Sequence, residues 1–94
     1  MSCLIALPAF AGDSRLNSLR PFLQDYCYEC HGAEEQKNDV RFDTLGDDLS
    51  DVATLRTWQD ILDQLNLGEM PPQKQPQPAT GEAAEVVDAL TATL

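Results

Sequence analysis

Apolar residues return at steps of three and four in three stretches of the chain. In the first, Leu16, Leu19, Phe22, Leu23, Tyr26, Cys27 and Cys30 share one helical face. Pro21 is awkward in a helix interior but suits a first turn. The spacing therefore predicts a helix that is firm from near Ser18 and stops at Gly32. The second stretch, "TLRTWQDILDQLNLG", puts Leu55, Trp58, Ile61, Leu62 and Leu65 on one face, with Gly68 placed to end it. The third is expected to open at Thr80 as N-cap. Glu82 and Glu85 lie near its positive end, and Ala83, Val87, Leu90 and Leu94 form its stripe. Between the first two lies "GAEEQKNDVRFDTLGDDLSD", polar and turn-rich, with at most a short extended piece at residues 40–42. Between the last two lies "EMPPQKQPQPAT", whose four prolines forbid a helix. The pattern predicts a small all-α domain of three main helices and two long loops.

Length and composition sharpen this picture in one respect. The 94 residues make one domain of marginal size, and only 6% are aromatic, so few large side chains are available to fill a core. Such a domain needs a staple. The balance of 6 Lys and Arg against 16 Asp and Glu, a net charge of −10, argues against nucleic acid and anionic membrane surfaces. It favours basic partners.

The leading residues differ from the rest. Positions 1–12 carry no charged side chain, and Ala9 and Ala11 give "AFA" the small-x-small form of a signal-peptidase site. A basic n-region is missing, so residues 1–11 are expected to be the back half of an export signal, and residues 12–94 the mature domain. Cys3 would leave with the signal. No stretch approaches the roughly 20 apolar residues of a membrane span.

The staple is sought in "QDYCYECHGAE", which holds Cys27, Cys30 and the single histidine, His31. Cys-x-x-Cys-His is the attachment sequence of c-type haem. On a helical turn, residues three apart share a face, so two thiols can reach two vinyl groups on one edge of a porphyrin. His31, four positions after Cys27, would then project over the ring and bind iron. Rival readings account for less. Zinc lacks a fourth Cys or His once the signal is gone. A thioredoxin-like pair expects a βαβ context. A Cys27–Cys30 disulfide would close a very small loop and leave His31 unexplained.

Met70 is the one methionine left after signal removal, in the proline-braced "GEMPP". A methionine can be a mere core filler, but a site just past a helix end suits a second axial ligand, and Met/His ligation is a recognised haem arrangement.

With "RPFLQDYCYECHG", "VRFDTL", the helix of Trp58, Ile61 and Leu65 running into "LGEMPP", and the last helix, the chain resembles the planctomycete-type cytochrome c domain from about Leu16 to Leu94. The resemblance implies a cytochrome c-like fold, one haem c held covalently by Cys27 and Cys30, and axial ligation by His31 and Met70. It also implies that the domain normally leads a larger exported protein. Trp58 serves the helix core, or gives its indole N–H to a haem propionate. Arg41 is the other propionate candidate, and it could equally pair with Asp39 or Asp43 on the loop. His31 and Met70 should face one cavity lined by Trp58, Leu62 and Leu65.

The expected function is extracytoplasmic one-electron transfer with redox partner proteins, basic-surfaced ones among them, by an electron-carrier module rather than an enzyme. Two other classes compete with it. One is haem-based ligand binding or sensing, which needs Met70 to leave the iron. The other is an accessory redox module serving further domains of the same polypeptide.

Overall fold

The computed structural model describes residues 14–94; the expected export signal, with Cys3, Ala9 and Ala11, lies outside the described residues. Among those described there are four α-helices, α1 (Ser14–Asn17), α2 (Arg20–Tyr26), α3 (Val52–Leu67) and α4 (Glu82–Thr93), and no strand. The domain is all-α and cytochrome c-like.

The first amphipathic stretch forms two pieces. A turn at residues 18–19 separates α1 from α2, and Pro21 sits in the first turn of α2, where its missing N–H costs nothing. Helix α2 ends at Tyr26, earlier than the spacing predicts. The amides of Cys27 and Tyr28 both donate to the Leu23 carbonyl, at 2.8 and 3.0 Å. The second of these reaches five residues back and breaks the regular ladder. The cysteine motif therefore lies in turns beyond the helix. Gly32 does not act as a left-handed stop, since positive φ among the described glycines belongs to Gly68 and Gly81.

Helix α3 follows the sequence reading closely. At its start, Asp51 Oδ2 accepts from the Thr54 amide and hydroxyl at 3.0 and 2.7 Å. At its end, Gly68 takes φ 70°, a conformation that spares the penalty a Cβ would bring. Helix α4 starts later than expected, with Gly81 rather than Thr80 at the N-cap. No side chain caps it; Glu82 Oε1 instead accepts from the Ala79 amide at 3.0 Å, which fixes the chain as it enters the helix.

One core joins these elements: Leu16, Leu19, Phe22, Leu23, Trp58, Ile61, Val86 and Leu90. Helix α4 packs on both α1 and α3. Its buried stripe is Val86 and Leu90, with Ala83, Ala89 and Leu94 beside them. Val87, expected in the stripe, is replaced by Val86, because two neighbouring helices turn the contact face by about one residue. Trp58 is fully buried. Its indole Nε1 donates to the Gly46 carbonyl at 2.8 Å, which ties the long first loop to α3.

The Thr54 bonds hold the Asp51 carboxyl below its ordinary value. A depressed folded value means that the cap stabilises above about pH 4 and loses its effect as pH falls through the lowered value. Asp51→Ala should lower Tm by about 4–8 °C at pH 7. The two curves, followed by circular dichroism, should converge towards pH 3.

Candidate haem site

The attachment motif keeps helical spacing although the helix has ended. The His31 amide donates to the Cys27 carbonyl at 2.9 Å, closing a single helical turn that holds Cys27 and His31 one turn apart. Gly32 follows for a steric reason. A Cβ built on it would collide with the Tyr28 carbonyl oxygen.

The first long loop then folds back over this turn. Gly32 N–H donates to Glu35 O at 2.7 Å, Lys37 N–H to Cys30 O at 2.8 Å, and Phe42 N–H to His31 O at 2.7 Å. His31 and Gln36 form an isolated antiparallel bridge. The predicted extended piece at residues 40–42 is extended backbone at Val40, φ −104° and ψ 130°.

His31 is buried, with 8% of its surface exposed. Its Nδ1 lies 3.1 Å from the Val40 carbonyl. A carbonyl can only accept, so Nδ1 carries a proton, and in the neutral ring that tautomer leaves the lone pair on Nε2. The Phe42 ring packs at 5.1 Å between centroids and 54° between planes, which limits rotation of the imidazole.

A cavity of about 570 Å³ opens against this imidazole. Its wall includes Cys27, His31, Arg41, Phe42, Ile61 and Met70. That size falls within the range of ligand sites. A smaller pocket of about 40 Å³ shares Cys27, His31, Phe42 and Met70 with it and adds Cys30. Both cysteines are free thiols. Burial pushes the Cys27 thiol up to about 11, with a smaller contribution from Cys30, so it stays protonated at neutral pH.

Of the residues expected from sequence, Cys27, His31, Met70 and Arg41 share the large cavity, and Cys30 lies beside it. Arg41 pairs with Asp43 through Nε and Nη2 at 2.6 and 2.9 Å, which lowers the Asp43 carboxyl. Trp58 and Leu62 are not in the wall; Leu65 is. Trp58 has spent its one donor on Gly46 and belongs to the core. The α3 contribution comes instead from Thr57, Asp60, Ile61, Gln64 and Leu65. This set is spaced as one helical face, but polar members disguise it among the solvent positions. Val40 also escaped notice, because it acts through its carbonyl.

The donor set suits haem c: two free thiols, an imidazole oriented through Nδ1, and a thioether on the same wall. Zinc fits less well, since among the described residues no group of three or more His, Cys, Asp or Glu side chains is arranged to hold a metal ion. A family model described as planctomycete cytochrome C matches residues 27–74, just over half of the chain. The chain belongs to the planctomycete cytochrome C family. The match runs from Cys27 past Met70 to Lys74, inside the proline loop. Neither a curated protein nor a solved structure matches. A cytochrome c domain fits haem-based electron transfer, an electron carrier rather than a catalytic domain. Haem c is the cofactor the family implies, and Cys27 and Cys30 are present to form its attachment motif. No helix among the described residues is long and apolar enough to cross a membrane.

The Gly32 contact gives a direct test of the attachment turn. Gly32→Ala should cut covalently attached haem, read as haem absorbance per protein, to about a fifth or less of wild type. Gly46→Ala is the control. Its Cβ meets only Thr54 Oγ1, at 3.9 Å, and haem content should be unchanged.

Proposed function

We propose that this domain carries single electrons outside the cytoplasm, through one haem c bound by Cys27 and Cys30 and ligated by His31 and Met70. One observation supports it above the others. Met70 follows His31 by 39 positions, yet both line a single cavity together with Cys27. When bound, the haem supplies a reversible one-electron iron couple. Cys27 and Cys30 would anchor its edge, and His31 would offer Nε2 while Val40 and Phe42 hold the ring in place. Met70 would offer a soft sulfur, which favours ferrous iron. With His31 and Met70 both holding the iron, no position would remain for a substrate, so electron exchange is favoured over bond-making chemistry. Arg41, in the cavity wall and steadied by Asp43, is the candidate for holding a propionate.

The uncharged leader with Ala9 and Ala11 supports export, followed by a mature domain from Gly12. The charge of −10 supports a redox partner with a basic surface. Further domains of a larger polypeptide are a second class of partner.

Expression with a haem c maturation system tests the reading. The exported protein should begin at Gly12, carry the mass of one haem, and keep its colour through acidic organic extraction. Colour passing into the organic layer would refute attachment at Cys27 and Cys30. Met70→Ala should lower the reduction potential and admit carbon monoxide to the reduced protein. If instead wild type binds carbon monoxide as readily as the variant, ligand binding replaces electron transfer as the better reading.

A further inference from the structure

The segment after Met70, "PPQKQPQP", places prolines at 71, 72, 76 and 78. Proline has a carbonyl but no N–H, so such a loop holds more acceptors than donors and can do little to bond itself. A single backbone bond forms within it, from Gln75 N–H to Pro72 O at 2.9 Å. The shortfall is met by one side chain. Gln77 Nε2 lies 3.2 Å from Pro71 O, 2.8 Å from Pro72 O and 3.1 Å from Gln75 O. All three neighbours are acceptors, so the amide nitrogen faces them and shares its two hydrogens among them.

The other side of Met70 is held by the end of α3. Gly68 N–H donates to Leu65 O at 3.2 Å, and Glu69 N–H to Gln64 O at 3.1 Å. Met70 thus sits between two anchored points, a helix terminus on one side and the Gln77 amide on the other. The helix terminus is made by backbone groups. The second anchor depends on one side chain, and it lies beyond the 27–74 stretch that carries the family match.

We infer that Gln77 is the positioning residue for Met70: its amide clamps the proline loop so that the thioether stays in the cavity it shares with His31. The inference rests on Met70 being the axial ligand. Removing the donor frees the Pro71 and Pro72 carbonyls, and the loop then samples conformations that carry Met70 away.

The test uses the haem-loaded protein as wild type, Gln77→Ala, Gln77→Glu and Met70→Ala. Gln77→Glu is nearly isosteric and, at an exposed position, preserves the fold. As a carboxylate it donates nothing. At pH 7 both Gln77 variants should weaken the far-red charge-transfer band of thioether-ligated ferric iron. They should also bind carbon monoxide about tenfold faster than wild type when reduced. Exchange of the Gln75 amide should quicken in step. Below about pH 4, where a Glu side chain regains a hydroxyl donor, Gln77→Glu should return towards wild type while Gln77→Ala should not. Unchanged band, carbon monoxide rate and exchange in both Gln77 variants, beside a changed Met70→Ala, overturn the clamp alone. An unchanged Met70→Ala overturns the ligand assignment, and the clamp as a control of ligation with it.

Discussion

Burying an imidazole imposes a demand that organises half of this domain. With His31 almost wholly out of water, its Nδ1 proton must find an acceptor, because an orphaned buried donor costs about 1–3 kcal/mol. The acceptor is the carbonyl of Val40, nine residues further on. The chain can supply it only by turning back over the attachment turn. Each bond of that return path serves the same end, from Gly32 and Lys37 to the Phe42 amide on the His31 carbonyl. A polar loop that looks unstructured in sequence therefore becomes the rigid support of one side chain. The hydrogen bond that satisfies burial also leaves Nε2 free to act as a ligand.

Helix α3 serves two neighbours at once. Trp58 and Ile61 enter the core shared with α1, α2 and α4, while Thr57, Asp60 and Gln64 turn to the cavity. Ile61 belongs to both, which binds core and cavity wall into one packing unit. Its C-terminal turn then delivers the chain to Met70. Tyr26, at the end of α2, gives its hydroxyl to Glu82 at 2.9 Å. That carboxylate also accepts from the Ala79 amide just before α4, and the acceptor raises the Tyr26 phenol above its usual range. The start of α4 is thereby tied to the residue before Cys27.

The charge at the cavity is as informative as its shape. Asp39, Arg41 and Asp60 line the wall, and Arg41 is already paired with Asp43. The surroundings are thus acidic on balance, in line with the −10 carried by the whole chain. A negative field of this kind attracts basic surfaces at range and weakens as salt rises.

Periodicity and terminators alone determined α3 to within two residues, because Gly68 and the prolines after Met70 act through local φ preferences that no tertiary contact needs to supply. The "CYECH" spacing likewise determined its grouping unaided, since a single turn suffices to bring Cys27, Cys30 and His31 to one pocket. What the tertiary structure decided is where neighbouring elements compete. Helix α2 stopped at Tyr26 once Tyr28 bonded back to Leu23. The stripe of α4 moved to Val86 because two helices share it. Trp58 went to the Gly46 carbonyl and the core, and a mixed polar face of α3 became the cavity wall. Val40 and Gln77 left no trace in the pattern of side-chain types. Their roles rest on a carbonyl and an amide meeting partners brought close only by the fold.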